Sequence, residues 1–364
     1  MEPRKRSSSL ALAALVVLGA LGCGPRAAGP AVAPARLSET GLYSDASCST
    51  LAPGVRAFSP QYPLWSDGAK KRRWVYLPEG ATIDASDPYR WSFPVGTKFW
   101  KEFRFAHRAE TRYLERGPDG NWIYATYLWP ADGSEALLAP EQGVRGACET
   151  ELGTRHDIPA VADCRACHEG TPSRVLGFSA LQLASERDPA APHAEMPEPH
   201  SLGLEELVSS GRLAGSPAAI LAAGRPIEAR SARERAALGY LHANCGGCHN
   251  PAGPLGTLGL ELEYRHEAVA PALRTALAQA SRYQPTGAHD ALRLVPGDAD
   301  ASVLVRRVAS RFGALQMPPL GTHAVDEDAL ALLRDWIRTD LAEPPTVADR
   351  TSPDARSHER LAAK

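Results

Sequence analysis

Methionine is nearly missing from this chain, with three residues in 364, at positions 1, 196 and 317. Charge of one sign is missing too: the formal net charge is -2, no basic run of five or more residues occurs, and no second long apolar run follows the one near the N-terminus. Nucleic-acid binding needs clustered Lys and Arg, and a spanning helix needs a long apolar stretch, so these absences argue against both in the mature chain. The sequence also lacks a Gly-rich phosphate loop and a nucleophile triad. Cysteine is scarce, at seven residues, and that scarcity makes its arrangement informative.

Four of the seven cysteines sit in two copies of one pattern, Cys164-Arg165-Ala166-Cys167-His168 and Cys245-Gly246-Gly247-Cys248-His249. In this spacing two thiols form thioether links to a porphyrin and the adjacent His becomes the proximal iron ligand, which is the attachment signature of a c-type haem. A chain with 7 Cys and 11 His yields one such match by accident only about 0.004 times. The rival is a single zinc site, but zinc ribbons space their cysteine pairs by about 15–20 residues. About 77 residues intervene here and each pair carries the extra His. Two covalently bound haem c groups are expected, with iron on His168 and His249.

The N-terminus opens with Arg4-Lys5-Arg6 and an apolar run from Leu10 to Leu21, too short for a mature spanning helix, and reads as an export signal over 1–23. Ala20-Leu21-Gly22-Cys23 resembles the lipobox of bacterial lipoproteins, although Ala20 stands where Leu is preferred. That resemblance implies acylation of Cys23 and a lipid anchor in the outer or inner membrane, facing the periplasm. Ordinary cleavage among Ala27 to Ala35 would instead release a periplasmic protein. Cys48 and Cys148 remain, either as a disulfide suited to an oxidising compartment or as two unpaired thiols.

Residues 24–38 are an Ala/Pro/Gly tether. Over 39–160 the composition is that of β structure, since six of the seven tryptophans and six of the ten tyrosines lie between Tyr62 and Trp129. Asn121 to Trp129 is the clearest strand, turned back onto Glu110 to Arg116 by Gly117-Pro118-Asp119-Gly120. Phe99, Phe103 and Phe105 share one strand face, with Trp100, Glu102 and Arg104 opposite. Trp65-Ser66-Asp67 reads as an Asp-Gly turn packed under tryptophan, or as a pocket lining with Asp67 as acid or base. Residues 161–230 hold the first haem motif and a helical linker, with Leu204, Leu207 and Val208 in one short helix. Residues 231–343 are helical, from Ser231 to Asn244 and from Asp326 to Leu341, and 344–364 form a polar tail.

The iron on His249 needs a partner on its other face. Met317, in Leu315-Gln316-Met317-Pro318-Pro319, is the candidate, because two prolines stiffen the loop that presents its thioether; the plainer role is a Met filling a core gap. Gly239-Tyr240-Leu241 before the motif, Pro296-Gly297-Asp298 with Ser302, and Met-Pro-Pro before the last helix make Ser231 to Ala342 resemble planctomycete-type cytochromes c. That resemblance implies a class I-like helical domain in which the first helix crosses the last, with Tyr240 and Trp336 at the crossing. For the iron on His168, His193, Met196 and His200 are candidates, beside an open face.

Phe93-Pro94-Val95-Gly96-Thr97 and Lys101-Glu102-Phe103, followed by a haem motif, are similar in outline to the lysine-crosslinked c-type haem enzymes of hydroxylamine metabolism. No crosslinking lysine is identified, and Lys98 and Lys101 read as solvated strand residues. Tyr62-Pro63-Leu64-Trp65-Ser66-Asp67-Gly68-Ala69, Pro94 to Thr97 and both haem motifs together resemble a family of exported bacterial dihaem cytochromes c, over about 40–340. The expectation is an α+β chain, an N-terminal β-rich domain followed by the cytochrome domain, that carries electrons between periplasmic redox proteins. The alternatives are a haem oxidoreductase with an open site at the first haem, acting on a small nitrogen or oxygen compound, and a ligand-binding β domain fused to a cytochrome.

Overall fold

The computed structural model describes residues 32–287 and 289–342. The signal segment, Cys23 and the polar tail lie outside the described residues. The chain is mixed α+β. Six strands form one antiparallel sheet in the order β1-β2-β4-β5-β6-β7: β1 (Val55–Ala57), β2 (Lys70–Tyr76), β4 (Lys98–Arg104), β5 (Arg108–Arg116), β6 (Trp122–Leu128) and β7 (Leu137–Leu138). Two further pairs flank it, β8 (Val144–Glu149) antiparallel to β9 (Arg155–Ile158), and β3 (Ile83–Asp84) parallel to β10 (Leu213–Ala214). The helices are α1 (Val161–His168), α2 (Ala180–Leu183), α3 (Leu204–Ser209), α4 (Pro217–Ala223), α5 (Ala232–Asn244), α6 (Pro271–Ala276), α7 (Val303–Val308) and α8 (Glu327–Thr339). Among the described residues no helix is long and apolar enough to cross a membrane.

The β5-β6 hairpin turns as its sequence requires, with the Gly117 N–H donating to the Asn121 carbonyl at 2.8 Å and positive φ at Gly120. Alternation then sorts the side chains by face. Trp74, Trp100, Tyr113 and Ala125 pair across four strands on the outer face, where Leu37, Leu42, Tyr43 and Cys48 cover them. Val75, Phe99, Leu114 and Tyr124 pair on the inner face. That face is covered by Val175, Phe178, Leu183, Leu204 and Leu207, so the segment expected as a linker closes the core of the β domain. Phe178 is 1% exposed and meets Phe58 and Phe99 edge to face, with centroids 4.9 and 5.2 Å away. Phe178→Ala is expected to lower the unfolding free energy by about 3–5 kcal/mol, read by urea titration; a cost under about 1 kcal/mol would place this segment outside the core.

The expected Cys48 to Cys148 bond is not there, and both are free cysteines. Cys48 lies in the outer-face core, whereas Cys148 packs with the Phe103 and Phe105 cluster. Each thiol is held by different neighbours, and no bond between them is needed to close either cluster.

In the helical half, Ser231 caps α5 by accepting the Glu234 N–H at 3.0 Å, and Asp326 caps α8 by accepting the Ala329 N–H at 3.2 Å. The two helices pack together and share one core containing Tyr240, Leu241, Leu333, Trp336 and Ile337. The Trp336 indole N–H donates to Glu234 at 3.2 Å. The halves are joined by the loop before β2: a Cβ at Gly239 would lie 2.1 Å from the Tyr62 ring, so glycine is what seats Tyr62 on α5. The Trp65 N–H donates to Asn244 Oδ1 at 2.8 Å, and Asp67 Oδ1 accepts the backbone N–H groups of His323 and Ala324 at 2.8 and 2.9 Å. Asp67, 1% exposed with φ of 49°, is therefore a turn residue that fastens the helical half.

Candidate haem centres

The first motif occupies α1, where Cys164, Cys167 and His168 fall at i, i+3 and i+4 and so share one helix face. Asp163 fixes the start of this helix by accepting the Ala160 N–H at 3.0 Å. At its end, His168 Nδ1 lies 2.8 Å from the Arg174 carbonyl and must donate to it. That bond leaves Nε2 with its lone pair, the arrangement a metal-ligating imidazole needs. Burial pushes the His168 pKa down to about 4, against the Arg174 bond, which raises it, and with Lys101 and Arg112, which lower it further. The ring leans on Tyr124 of β6 at 5.5 Å.

The second motif is the turn that ends α5. The Cys245 N–H donates to the Leu241 carbonyl, and the N–H groups of Cys248 and His249 both donate to the Cys245 carbonyl. Gly246 is required here, because a Cβ would lie 2.6 Å from the His242 carbonyl oxygen. His249 is 8% exposed, its Nδ1 is buried with no hydrogen-bond partner among the described residues, and burial lowers its pKa, with Arg307 and Arg293 adding to the effect. Met317 is half-buried in the loop between α7 and α8. Its N–H donates to the Arg307 carbonyl at 2.9 Å, so the residue whose charge acts on His249 also anchors Met317.

The two motifs, 81 residues apart by their histidine numbers (249 minus 168), meet. The Cys167 and Cys248 thiols are near enough to act on each other's titration, Cys167 being pushed up and Cys248 drawn down. A Cβ at Gly170 would lie 2.8 Å from the Gly247 carbonyl oxygen. The Asn250 side-chain amide is the clamp: it donates to the carbonyls of Gly170, Gly246 and Gly247 at 3.0, 3.0 and 3.1 Å. Asn250 was not singled out from sequence; its place directly after the second motif was the only signal.

A cavity of about 560 Å³ opens between the inner face of the sheet and the two motifs, within the size range of cofactor sites. Lys101, Arg112, His156, Cys164, Cys167 and His168 line it, and Asn244 and Cys248 reach it from the second motif. Lys101 is thus not a solvated strand lysine: register puts it on the covered face, where burial and then Arg73, Lys71 and Arg112 push its pKa well below the usual range. Burial likewise brings Lys71 down to about 7. Lys98, one residue before Phe99, faces the other way and donates to the Thr40 carbonyl at 2.8 Å.

His193, Met196 and His200 are not among the cavity-lining residues. Met196 is 90% exposed, and His193 Nε2 is bonded to Asp326 at 2.8 Å. Their segment is strapped to the sheet edge instead, through Arg73 to Glu195, Arg72 to Glu198 and Arg56 to the His200 carbonyl. His156 does reach the cavity, but its Nε2 is bonded to Glu110 at 3.0 Å.

The residues present fit two c-type haems: four free thiols at the right spacing, one proximal imidazole already oriented by a carbonyl, and a second with an orphaned buried nitrogen. Comparison with protein-family models, with curated proteins and with solved structures finds no match.

Proposed function

We propose that this protein is an exported dihaem c-type cytochrome that carries single electrons between periplasmic redox proteins, tethered to a membrane through Cys23. Cys164 and Cys167 would hold one haem with His168 as iron ligand, and Cys245 and Cys248 the other, with His249 and Met317 as ligands. The bound irons would supply one-electron chemistry; the chain supplies position, orientation and a dry environment. The observation that carries the reading is the meeting of the two motifs at Gly170, Gly247 and Asn250, because it brings the attachment sites of both groups side by side. The neutral state of His168, favoured by burial, is the state that ligates iron.

A second reading is favoured by one observation: none of His193, Met196 and His200 reaches the cavity beside His168. An iron there with a free face would act on a small nitrogen or oxygen compound, and the second haem would export the electrons. The test is the visible spectrum of the dithionite-reduced holoprotein before and after carbon monoxide, with haem counted as the bis-pyridine complex. Two haems per chain with neither shifting supports electron transfer alone; about one haem shifting favours the oxidoreductase. A chain matured in a c-type haem-attaching host that carries no covalent haem would end both readings.

A further inference from the structure

The inner face of the sheet carries an arrangement that its fold does not need. Register places Arg73 opposite Lys101 and Lys101 opposite Arg112, so three cationic residues form one row across β2, β4 and β5. Neighbouring strands are about 4.8 Å apart, which sets the three side chains within about 10 Å of backbone, and like charges directly opposite one another destabilise a sheet. Two of the charges are answered: Arg73 pairs with Glu195, and Arg112 with Glu110 at 2.6 Å. Lys101 is not. Its ammonium makes no hydrogen bond and no ion pair among the described residues; it lies 4.8 Å from the Phe103 ring, and the Glu195 carboxylate acts on it only from farther off. Lys71, two residues along β2 from Arg73, donates to the Ala69 carbonyl at 3.1 Å.

The row opens on the cavity that His168, Cys164 and Cys167 line. Arg73, Lys101 and Arg112 line that cavity together with Cys164 and Cys167, on the side where the haem would be attached. The propionates of a c-type haem leave the ring at the edge opposite its thioethers, so they are not the carboxylates this row would meet. A small anion above the ring face would meet it.

We propose that Lys101, flanked by Arg73 and Arg112, binds a small monovalent oxyanion of formate or nitrite size on the free face of the first haem. This rests on the haem reading only for the position of the anion, because the cationic row belongs to the sheet. Lys101 donates to the anion, and the two arginines, held in place by Glu195 and Glu110, supply field without having to move.

The test is calorimetric titration of the oxidised holoprotein with sodium formate at constant ionic strength, on protein whose haem content has been counted. One saturable site per chain is expected. Lys101→Met weakens it at least about tenfold, the loss of one charge-assisted hydrogen bond, while Lys101→Arg retains most of it and Lys70→Met, at the exposed start of β2, leaves it unchanged. Far-UV circular dichroism confirms that each variant is folded. No saturable site on the dihaem protein, or equal affinity in Lys101→Met, overturns the proposal. So does the case in which formate does not bind and Lys101→Met shifts the potential of the first haem, which would assign Lys101 to the haem's own carboxylates. Formate binding through Lys101 in a chain that carries no covalent haem upholds the anion site and removes both haem readings.

Discussion

On the proposed His249 and Met317 ligation, replacing Met317 with histidine is expected to lower the midpoint potential of the second haem by on the order of 0.1–0.3 V, within the span of about 0.8 V that axial ligands command. A soft, neutral thioether favours ferrous iron, whereas a second imidazole donates more strongly to ferric iron. The exchange is well suited to a test because the loop is held by its backbone: the Met317 N–H is bonded to the Arg307 carbonyl at 2.9 Å, and Arg307 Nε donates to the Leu315 carbonyl at the same distance. Changing the side chain leaves both bonds in place. Spectroelectrochemical titration of the dihaem protein reads the two potentials separately, and Met196→His, at a residue 90% exposed, is the control that should move neither. An unchanged second potential in Met317→His would leave Met317 as core filler and send the search for the ligand elsewhere.

Glu110→Ala is expected to destabilise the protein by about 3–5 kcal/mol. Glu110 is fully buried beneath the cavity and accepts from Arg112 and from His156 Nε2. Without it a buried guanidinium keeps its charge and loses its partner. The same group makes stability depend on acid. Burial alone would raise its pKa, but Arg112 and His156 outweigh burial and hold it below the ordinary value of 4.5. A carboxylate whose folded pKa lies below its unfolded one contributes fully above the unfolded value, and that contribution goes as pH falls through the folded value. Urea midpoints measured between about pH 7 and pH 3 should fall for the parent protein and less steeply for Glu110→Ala. Parallel slopes would show that Glu110 is not what acid removes.

Local chemistry was legible in the sequence and long-range pairing was not. The hairpin at Gly117 to Gly120, the helices beginning near Ser231 and Asp326, and the short helix carrying Leu204, Leu207 and Val208 are specified by residues within a few positions of one another, and the structure has them. Contact between the first and last helices of that half was expected from a resemblance, and α5 does pack on α8. What the sequence hid lies between residues far apart. Lys101 looks like any strand lysine until Arg73 and Arg112 are known to sit beside it and residues 161–230 are known to cover it. Asn250 looks like a loop residue until Gly170, 80 positions away, lies within reach of its amide. Cysteine counting suggested a bond between Cys48 and Cys148, because counting carries no coordinates; the two thiols belong to separate clusters.

Tyr62, Trp65 and Asp67 lie within six residues of one another, yet they grip the helical half at Gly239, at Asn244 and at His323 with Ala324. A single short stretch of chain thus fastens both the helix that leads into the second motif and the loop that follows Met317. Such a clasp ties the halves together at three places. For the proposed electron exchange between two haems, a tie of this kind predicts a rate governed by driving force and independent of solvent viscosity.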